Sequence, residues 1–400
     1  MQNPVPPATL RAWRWHQQGL DGRLAGRPPA EVLARSGWAR SVGGVGPYLT
    51  LFSRAGTPRA QADAAVACCE IHELPSVRGC TYVVPAADFA VALQAAAQGG
   101  DSDMATARRL GVTDQEVDRL CRAVADALAS GPLTPEELRE GVGGAARTLG
   151  PDGAKKGLAS TLPLALGRLQ VLGEIRRVPT NGRLDQQRYR YARWQPNPLA
   201  GQARSPAEVH VELARRFFRW AGPAAPSEFQ RFSGIGARAA RIALAQLGLV
   251  ALGPDDPRLM FPDDREALAR FDPPRDPVYS LVSGLDGLVL LRRKVADLLD
   301  PADLARVAPG ATPGAVLGTL SDLPSHAILE RGRLVGLWEY DTGTGTIAWW
   351  AFTARNAQLE AAVARTETFV RADLGDARSF SLDSPTSRQP RITAIREAAR

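Results

Sequence analysis

Residues 174–194, EIRRVPTNGRLDQQRYRYARW, constrain this chain more than any other stretch. Two alternating segments flank Asn181-Gly182. That dipeptide is the strongest short-range hairpin signal, because both residues accept the positive φ of a tight turn. What precedes the hairpin is helical. Thr113 stands before DQEVDRLCRAVADALASG, an amphipathic run closed by Gly131. Thr134-Pro135-Glu136-Glu137 reads as a capping box with proline at the first helical position, opening the short helix PEELREGV. A third helix is expected from about Ala154 to Leu172. Helix, short helix, longer helix and basic hairpin is the order of a winged helix, a module that places a helix in a DNA groove and a wing against the flanking backbone.

A similar order recurs on both sides. Residues 206–221 and Pro226–Phe232 read as a long and a short helix. ARAARIALAQLG then offers a recognition helix ending at Gly248, and LVALGPDDPRLMF reads as strand, turn and strand. Nearer the N-terminus, Leu10, Trp13 and Leu20 have helical spacing, and AEVLARSG forms a second helix stopping at Gly37. A Gly-rich loop leads into a short helix around Pro47–Arg54. Arg78–Val84 alternates like a strand, and Asp88 lies early in a helix running to about Ala97. After Arg265 the character turns to β: PVYSLV, then three segments in SHAILERGRLVGLWEYDTGTGTIAWWAF, before an amphipathic helix at 355–373 and a loosely ordered start to the last twenty residues. The expected fold is α+β, mainly α. Three tandem winged-helix modules at 1–110, 111–200 and 201–265 precede a small β-rich, barrel-like domain at 266–400.

Charge locates the partner. The chain carries 49 Lys/Arg and a net charge of +7. From Lys155 to Arg241 there are 16 basic residues against five acids, so this stretch holds +11 and the remainder is −4. Such segregation is the electrostatic footprint of a phosphate-binding surface, here for double-stranded DNA. In the wing the candidates are Arg176, Arg177, Arg183, Arg188 and Arg190, with Arg188 and Arg190 on one strand face and Tyr189 and Tyr191 on the other. The third module adds Arg231, Arg238 and Arg241, the last two sharing a helical face. Some of these arginines are expected to bond acids across module interfaces instead.

Other classes find little support. No run of about 18 uncharged apolar residues suggests a membrane span, and the N-terminus lacks the apolar core of a signal peptide. Cys68, Cys69, Cys80 and Cys121 follow neither metal nor disulfide spacing, which suits the reducing cytoplasm, here the nucleoid. His16, His72, His210 and His326 are scattered, and no phosphate-binding GxxxxGK[ST] loop, dinucleotide GxGxxG turn or GxSxG elbow occurs. No metal or cofactor is expected, and the chain is expected to act as a monomer. The densest polar cluster is Glu70, His72, Glu73, Arg78, Tyr82 and Asp88. Glu73, His72 and Asp88 are the catalytic candidates, since a carboxylate beside His and Arg can polarise water or stabilise an oxocarbenium ion. Equally, Glu73 and Arg78 could pair to fix the turn before the strand.

Seven stretches together resemble the AlkZ/YcaQ-like winged-helix DNA glycosylase family: RAWRWHQQGLDGR at 11–23, VLARSG at 32–37, RGCTYVVPAADF at 78–89, GPLTPEEL at 131–138, LPLALGRLQVLGEI at 162–175, FRWAGPAAPSEFQRFSGIG at 218–236 and ILERGRLVGLW at 328–338. The resemblance implies three tandem winged helices in a concave basic arrangement, a small C-terminal β-rich domain, and a link to excision of alkylated or crosslinked bases. The family's Gln-x-Gln or Gln-x-Asp motif follows the second helix. Aligned on that helix, this chain has Arg40 and Val42 at the two polar positions, and Tyr82 stands where the family's strand motif has histidine. Arginine cannot accept a proton and valine cannot orient water. The expectation is therefore a DNA-binding protein of repair or damage recognition, with Arg40, Ser41, Arg78 and Tyr82 meeting nucleic acid and Trp38 and Tyr82 as candidate pocket walls. The alternatives are an active glycosylase using Glu73, His72 or Asp88, and a winged-helix transcription regulator.

Overall fold

The structure, a computed structural model, describes residues 5–99 and 102–400. The reading of the first four residues as part of the N-terminus, and of positions 100–101 as part of the first module, lies outside them. The N-terminal part comprises helices Pro7–Gln17, Pro29–Ser36, Gly46–Ala55 and Arg59–Ala67, followed by helix Phe89–Gln98. Between them lie β1 (Ala39–Arg40), β2 (Ile71–Pro75) and β3 (Thr81–Pro85), an antiparallel sheet in the order β1-β3-β2. The strand expected from Arg78 begins three residues later. Val77–Gly79 is a tight turn in which Arg78 adopts φ 60°, so this arginine projects from a corner rather than from a strand.

The middle part follows with helices Asp114–Ala127 and Pro135–Val142, the latter opened by the Thr134/Glu137 capping box read from sequence. The single helix expected over 154–172 is two, Gly150–Lys155 and Leu162–Val171. Gly157 at φ +76° ends the first, and Pro163 sits in the first turn of the second. The hairpin is β4 (Ile175–Pro179) with β5 (Tyr189–Arg193). Its turn is not the tight one that Asn181-Gly182 suggests, because the loop 180–188 is drawn out by tertiary contacts: Leu184 is buried, and its N–H donates to the Tyr48 hydroxyl at 2.9 Å.

Helices Pro206–Ala221, Pro226–Ser233 and Ala237–Ala245 lead into a second hairpin, β6 (Val250–Gly253) and β7 (Asp256–Met260). Ser205 and Glu208 cap the long helix reciprocally, as their spacing implies. The C-terminal part holds β8 (Tyr279–Val282), β9 (His326–Glu330), β10 (Arg333–Asp341) and β11 (Thr346–Ala351) in one antiparallel sheet, ordered β11-β10-β9-β8. The sheet is open; β8 and β11 do not pair, so the barrel expected from the β-rich sequence does not close. Helix Pro385–Ala398 replaces the loose start expected of the final segment, pinned by buried Arg388, which donates to the Tyr340 carbonyl and to Asp376.

Packing makes the N-terminal part the hub. One core joins Val32, Leu49 and Val83 to Leu281, Ile328 and Trp338 of the C-terminal sheet. A second joins Leu74, Val84 and Phe89 to Phe217, Phe218 and Phe229 of the third helical group. The middle part keeps a core of its own around Leu120, Leu138 and Leu166. The two faces of the β1-β3-β2 sheet thus serve different neighbours, and a residue's parity on these strands decides which environment it enters.

Candidate nucleic-acid interface

Cross-strand register sorts the candidate residues. Arg40 pairs with Tyr82, and Tyr82 with Leu74, so these three share one sheet face. Ala39, Val83 and Glu73 occupy the opposite face. The first face opens into a cavity of about 130 Å³ walled by Trp38, Tyr82, Phe232, Leu285, Leu290 and Leu291. Arg40, Arg78, Arg231 and Arg293 complete its lining with Cys80 and Gly287. The aromatic rings meet edge to face, Trp38 with Tyr82 at 6.2 Å between centroids and Tyr82 with Phe232 at 6.5 Å.

Each wall is held from behind. Trp38 donates its indole N–H to Asp88 at 2.7 Å, and Asp88 also accepts from Arg216 at 2.8 Å. Gly37, at φ +107°, takes a backbone conformation that favours glycine just before Trp38, whose ring packs 5.4 Å from that of Trp220 between centroids. On the far wall, Asp286 caps the short helix Gly287–Leu290 through the Leu288 N–H. It also takes both terminal nitrogens of buried Arg54, at 2.7 and 2.9 Å. Gly234 makes room for the Arg78 stem, whose guanidinium donates to the Arg231 carbonyl at 2.9 Å. Arg40 donates to the Thr81 carbonyl at 3.2 Å and stands 5.3 Å from the Tyr82 ring centre. Burial pushes the Tyr82 phenol up to about 12, with Cys80 adding to the rise and Arg40 and Arg78 opposing it. The phenol therefore stays protonated at neutral pH.

The three catalytic candidates do not converge on this cavity. Asp88 is committed to Trp38 and Arg216, as above. His72 is buried among aromatic rings, 5.2 Å from Trp194 between centroids, and neither ring nitrogen has a hydrogen-bond partner. Burial, assisted by Arg176, lowers its pKa to about 3, so it is neutral and sealed from solvent. Glu73 points away from the cavity and accepts a hydrogen bond from the buried Ser41 hydroxyl. The Glu73–Arg78 pair expected as its alternative does not form, because the two lie on different sides of the sheet and Arg78 turns to Arg231.

Glu73 instead faces the wing. Arg177 lies 5.2 Å over the Tyr189 ring, and both turn toward Glu73, whose carboxylate, after burial, is the main influence pushing the Tyr189 phenol up. Glu73 Oε2, Arg177 Nε and the Tyr189 hydroxyl are all buried without hydrogen-bond partners. Arg177 is thus only partly exposed and engaged within the protein. Arg183 is too, since it is bonded to Asp185 at 2.6 Å and to the Leu374 carbonyl at 2.9 Å. Ser41, spent on Glu73, is likewise unavailable to a ligand. Arg188, Arg190, Arg238 and Arg241 are exposed, and none pairs with an acid among the described residues. Arg176 lines a separate cleft of about 660 Å³ with Arg193, Trp194 and Arg204.

The family model for the DNA glycosylase AlkZ-like group matches residues 45–369, which include β2, β3, both hairpins and the whole C-terminal sheet. The chain belongs to the AlkZ-like DNA glycosylase family. Among solved structures it is similar to Streptomyces sahachiroi DNA glycosylase AlkZ, with a TM-score of 0.69 and 20% identity over 94% of this chain and 98% of that one. No curated protein sequence matches. Gln17 and Gln18 lie at the end of the first helix. Gln18 uses both ends of its amide, on the Trp220 carbonyl and on Arg54, and Gln17 bonds Asp264. Sequence reasoning missed Phe232, Arg293 and the Leu285–Leu291 wall. They come from segments distant along the chain, and no local pattern announces them. Among the described residues no group of three His, Cys, Asp or Glu is placed to hold a metal ion, and no helix is long and apolar enough to cross a membrane.

Proposed function

We propose that this AlkZ-like protein binds duplex DNA and holds an extruded nucleotide in the Trp38–Tyr82–Phe232 cavity, acting in damage recognition. The observation that carries the reading is the cavity itself: aromatic walls for a base face, with arginines around them for the phosphates. Extruding a base costs stacking energy, which apolar and aromatic walls offset. The three helical groups, each ending in a hairpin, are read as winged helices, with Arg188 and Arg190 on the β4–β5 hairpin and Arg238 and Arg241 on the following helical group as phosphate contacts. The lining offers a phenol, a thiol and guanidinium groups but no carboxylate or imidazole, which supports recognition over hydrolysis as the role of this cavity.

Titrating duplex affinity against salt tests the reading. Each phosphate contact contributes roughly 0.9 to the slope of log K against log salt. Arg188→Ala with Arg190→Ala is expected to flatten that slope by about 2. A slope unchanged by the double substitution refutes the wing contacts, and an affinity indifferent to salt refutes DNA binding. Release of free base from a damaged duplex by the wild-type protein, abolished in Glu73→Gln, would instead assign hydrolysis to the carboxylate beneath the wing.

A further inference from the structure

Leu382 is the most exposed large apolar side chain among the described residues, at 93% against 62% for the next, Val307. Phe380, two positions before it, is also exposed. Apolar residues scattered singly over a surface are ordinary. Leu382 differs in standing on a rigid tip. The Asp383 N–H donates to the Phe380 carbonyl at 3.1 Å, and the Asp383 carboxylate accepts the Phe380 N–H at 3.2 Å, which closes residues 380–383 into a turn. Directly after it, Ser384 caps helix Pro385–Ala398.

The turn is fixed beside the cavity. The segment leading into it runs antiparallel to the loop after β1: the Val45 N–H donates to the Arg378 carbonyl at 2.9 Å, and the Ser381 N–H to the Val42 carbonyl at 3.0 Å. That direction carries the chain past Val42 toward Arg40, which lines the cavity two residues earlier. On its other side the same loop meets the wing. A Cβ on Gly43 would lie 2.4 Å from the Gln187 side chain, and Arg378 donates to the Asp185 carbonyl. The tip therefore stands between Arg40 at the cavity and Arg188, the residue after Gln187, on the wing. Its charge suits a polyanion. The Asp383 carboxylate is paired with Arg391 at 3.5 Å, whereas Arg378 and Arg188 pair with no acid among the described residues.

We propose that Leu382, with Phe380 beside it, is a wedge that enters the base stack of duplex DNA and fills the gap left by the extruded nucleotide. The inference rests on the DNA-recognition reading above and adds to it the group that holds the gap open. Apolar side chains inserted between base steps replace part of the stacking that extrusion removes. A leucine almost wholly exposed in the free protein has nearly all of its apolar surface left to bury, enough for about tenfold or more in affinity. The closed turn helps, because little ordering entropy remains to be lost on insertion.

The test is binding of the full-length protein to two duplexes, one intact and one with a central tetrahydrofuran abasic analogue, in which the gap is already made. A 2-aminopurine beside the analogue reports local stacking by its fluorescence. Expected is binding about tenfold tighter to the abasic duplex, with a change in fluorescence. Leu382→Ala should remove most of both effects and Leu382→Met should keep them, while the salt slope stays that of wild type. The side chain is so exposed that neither substitution should alter urea unfolding. Equal affinity of the wild type for the two duplexes overturns the wedge alone, as does a preference and fluorescence change unmoved by Leu382→Ala. A dimer of the free protein that Leu382→Ala dissolves in sedimentation, with DNA binding unaltered, also overturns it and makes the tip a contact between copies. Failure to bind either duplex overturns the recognition reading and the wedge with it.

Discussion

His72 is expected to make the fold acid-sensitive in a calculable way. The side chain is 1% exposed and lies against Phe89 and Trp194. Burial first, and Arg176 second, lower its pKa from 6.5 to about 3. In the unfolded chain the imidazole protonates near 6.5. As pH falls below that value the unfolded state takes up a proton that the folded state refuses until about pH 3. Stability is thus complete above the unfolded pKa and declines across the window from 6.5 down to about 3. At about 1.4 kcal/mol per pH unit, rounded near the unfolded pKa, the loss between pH 8 and pH 5 is about 2 kcal/mol. Urea unfolding at the two pH values measures it. Buried His326 adds a similar trend, its pKa lowered by burial, so the comparison that isolates His72 is wild type against His72→Phe. The variant should show about 2 kcal/mol less pH dependence, since phenylalanine suits an aromatic surround and takes no proton. Magnetic resonance of the ring gives a second readout. A His72 resonance titrating near 6.5 in the folded protein would refute the argument and restore the residue as an acid–base candidate.

Two further outcomes follow from contacts between the N-terminal and C-terminal parts. Arg54→Ala leaves the Asp286 carboxylate buried and unpaired, which should lower stability by about 3–5 kcal/mol in denaturant unfolding; a loss under about 1 kcal/mol would show that the pair is solvated. Gly44→Ala places a Cβ 2.2 Å from the Ser379 carbonyl oxygen, backbone that cannot swing aside, so melting should fall by the equivalent of about 1–3 kcal/mol. An unchanged melting temperature would mean that the loop at 43–46 is not clamped by the C-terminal segment.

Several features were legible in the residues alone because their causes are local. The capping box at Thr134 works through a neighbour three positions away and forms as read, and the same local rule accounts for the Ser205/Glu208 box. The hairpin at 175–193 followed from alternation, and so did the turn of Arg188 and Arg190 to the face opposite Tyr189 and Tyr191. Arg40 and Tyr82 were named as residues meeting nucleic acid, and they face one cavity because β1 and β3 pair in register. Grouping His72, Glu73 and Asp88 as one site did not survive, because strand parity sends Glu73 to the opposite face. Nothing in the spacing of three residues shows which sheet face a neighbour will cover.

The excess of positive charge between residues 155 and 241 belongs to the sequence and would hold in any fold of this chain. Which arginines keep that charge free was decided by tertiary structure. Arg183, two residues from Asp185, is drawn into an ion pair and onto the Leu374 carbonyl, and Arg177 is half-buried over the Tyr189 ring. Arg188 and Arg190, on the same hairpin, stay in solvent. The closure of the cavity was also tertiary, since its walls come from β1, β3, the helix at Pro226–Ser233 and the segment at 285–293. Short-range rules specify a helix cap or a turn, because the groups involved are bound to meet. A pocket made by four distant segments, and the charge left over inside it, depends on which surfaces bury each other, and that emerges only once the chain has packed.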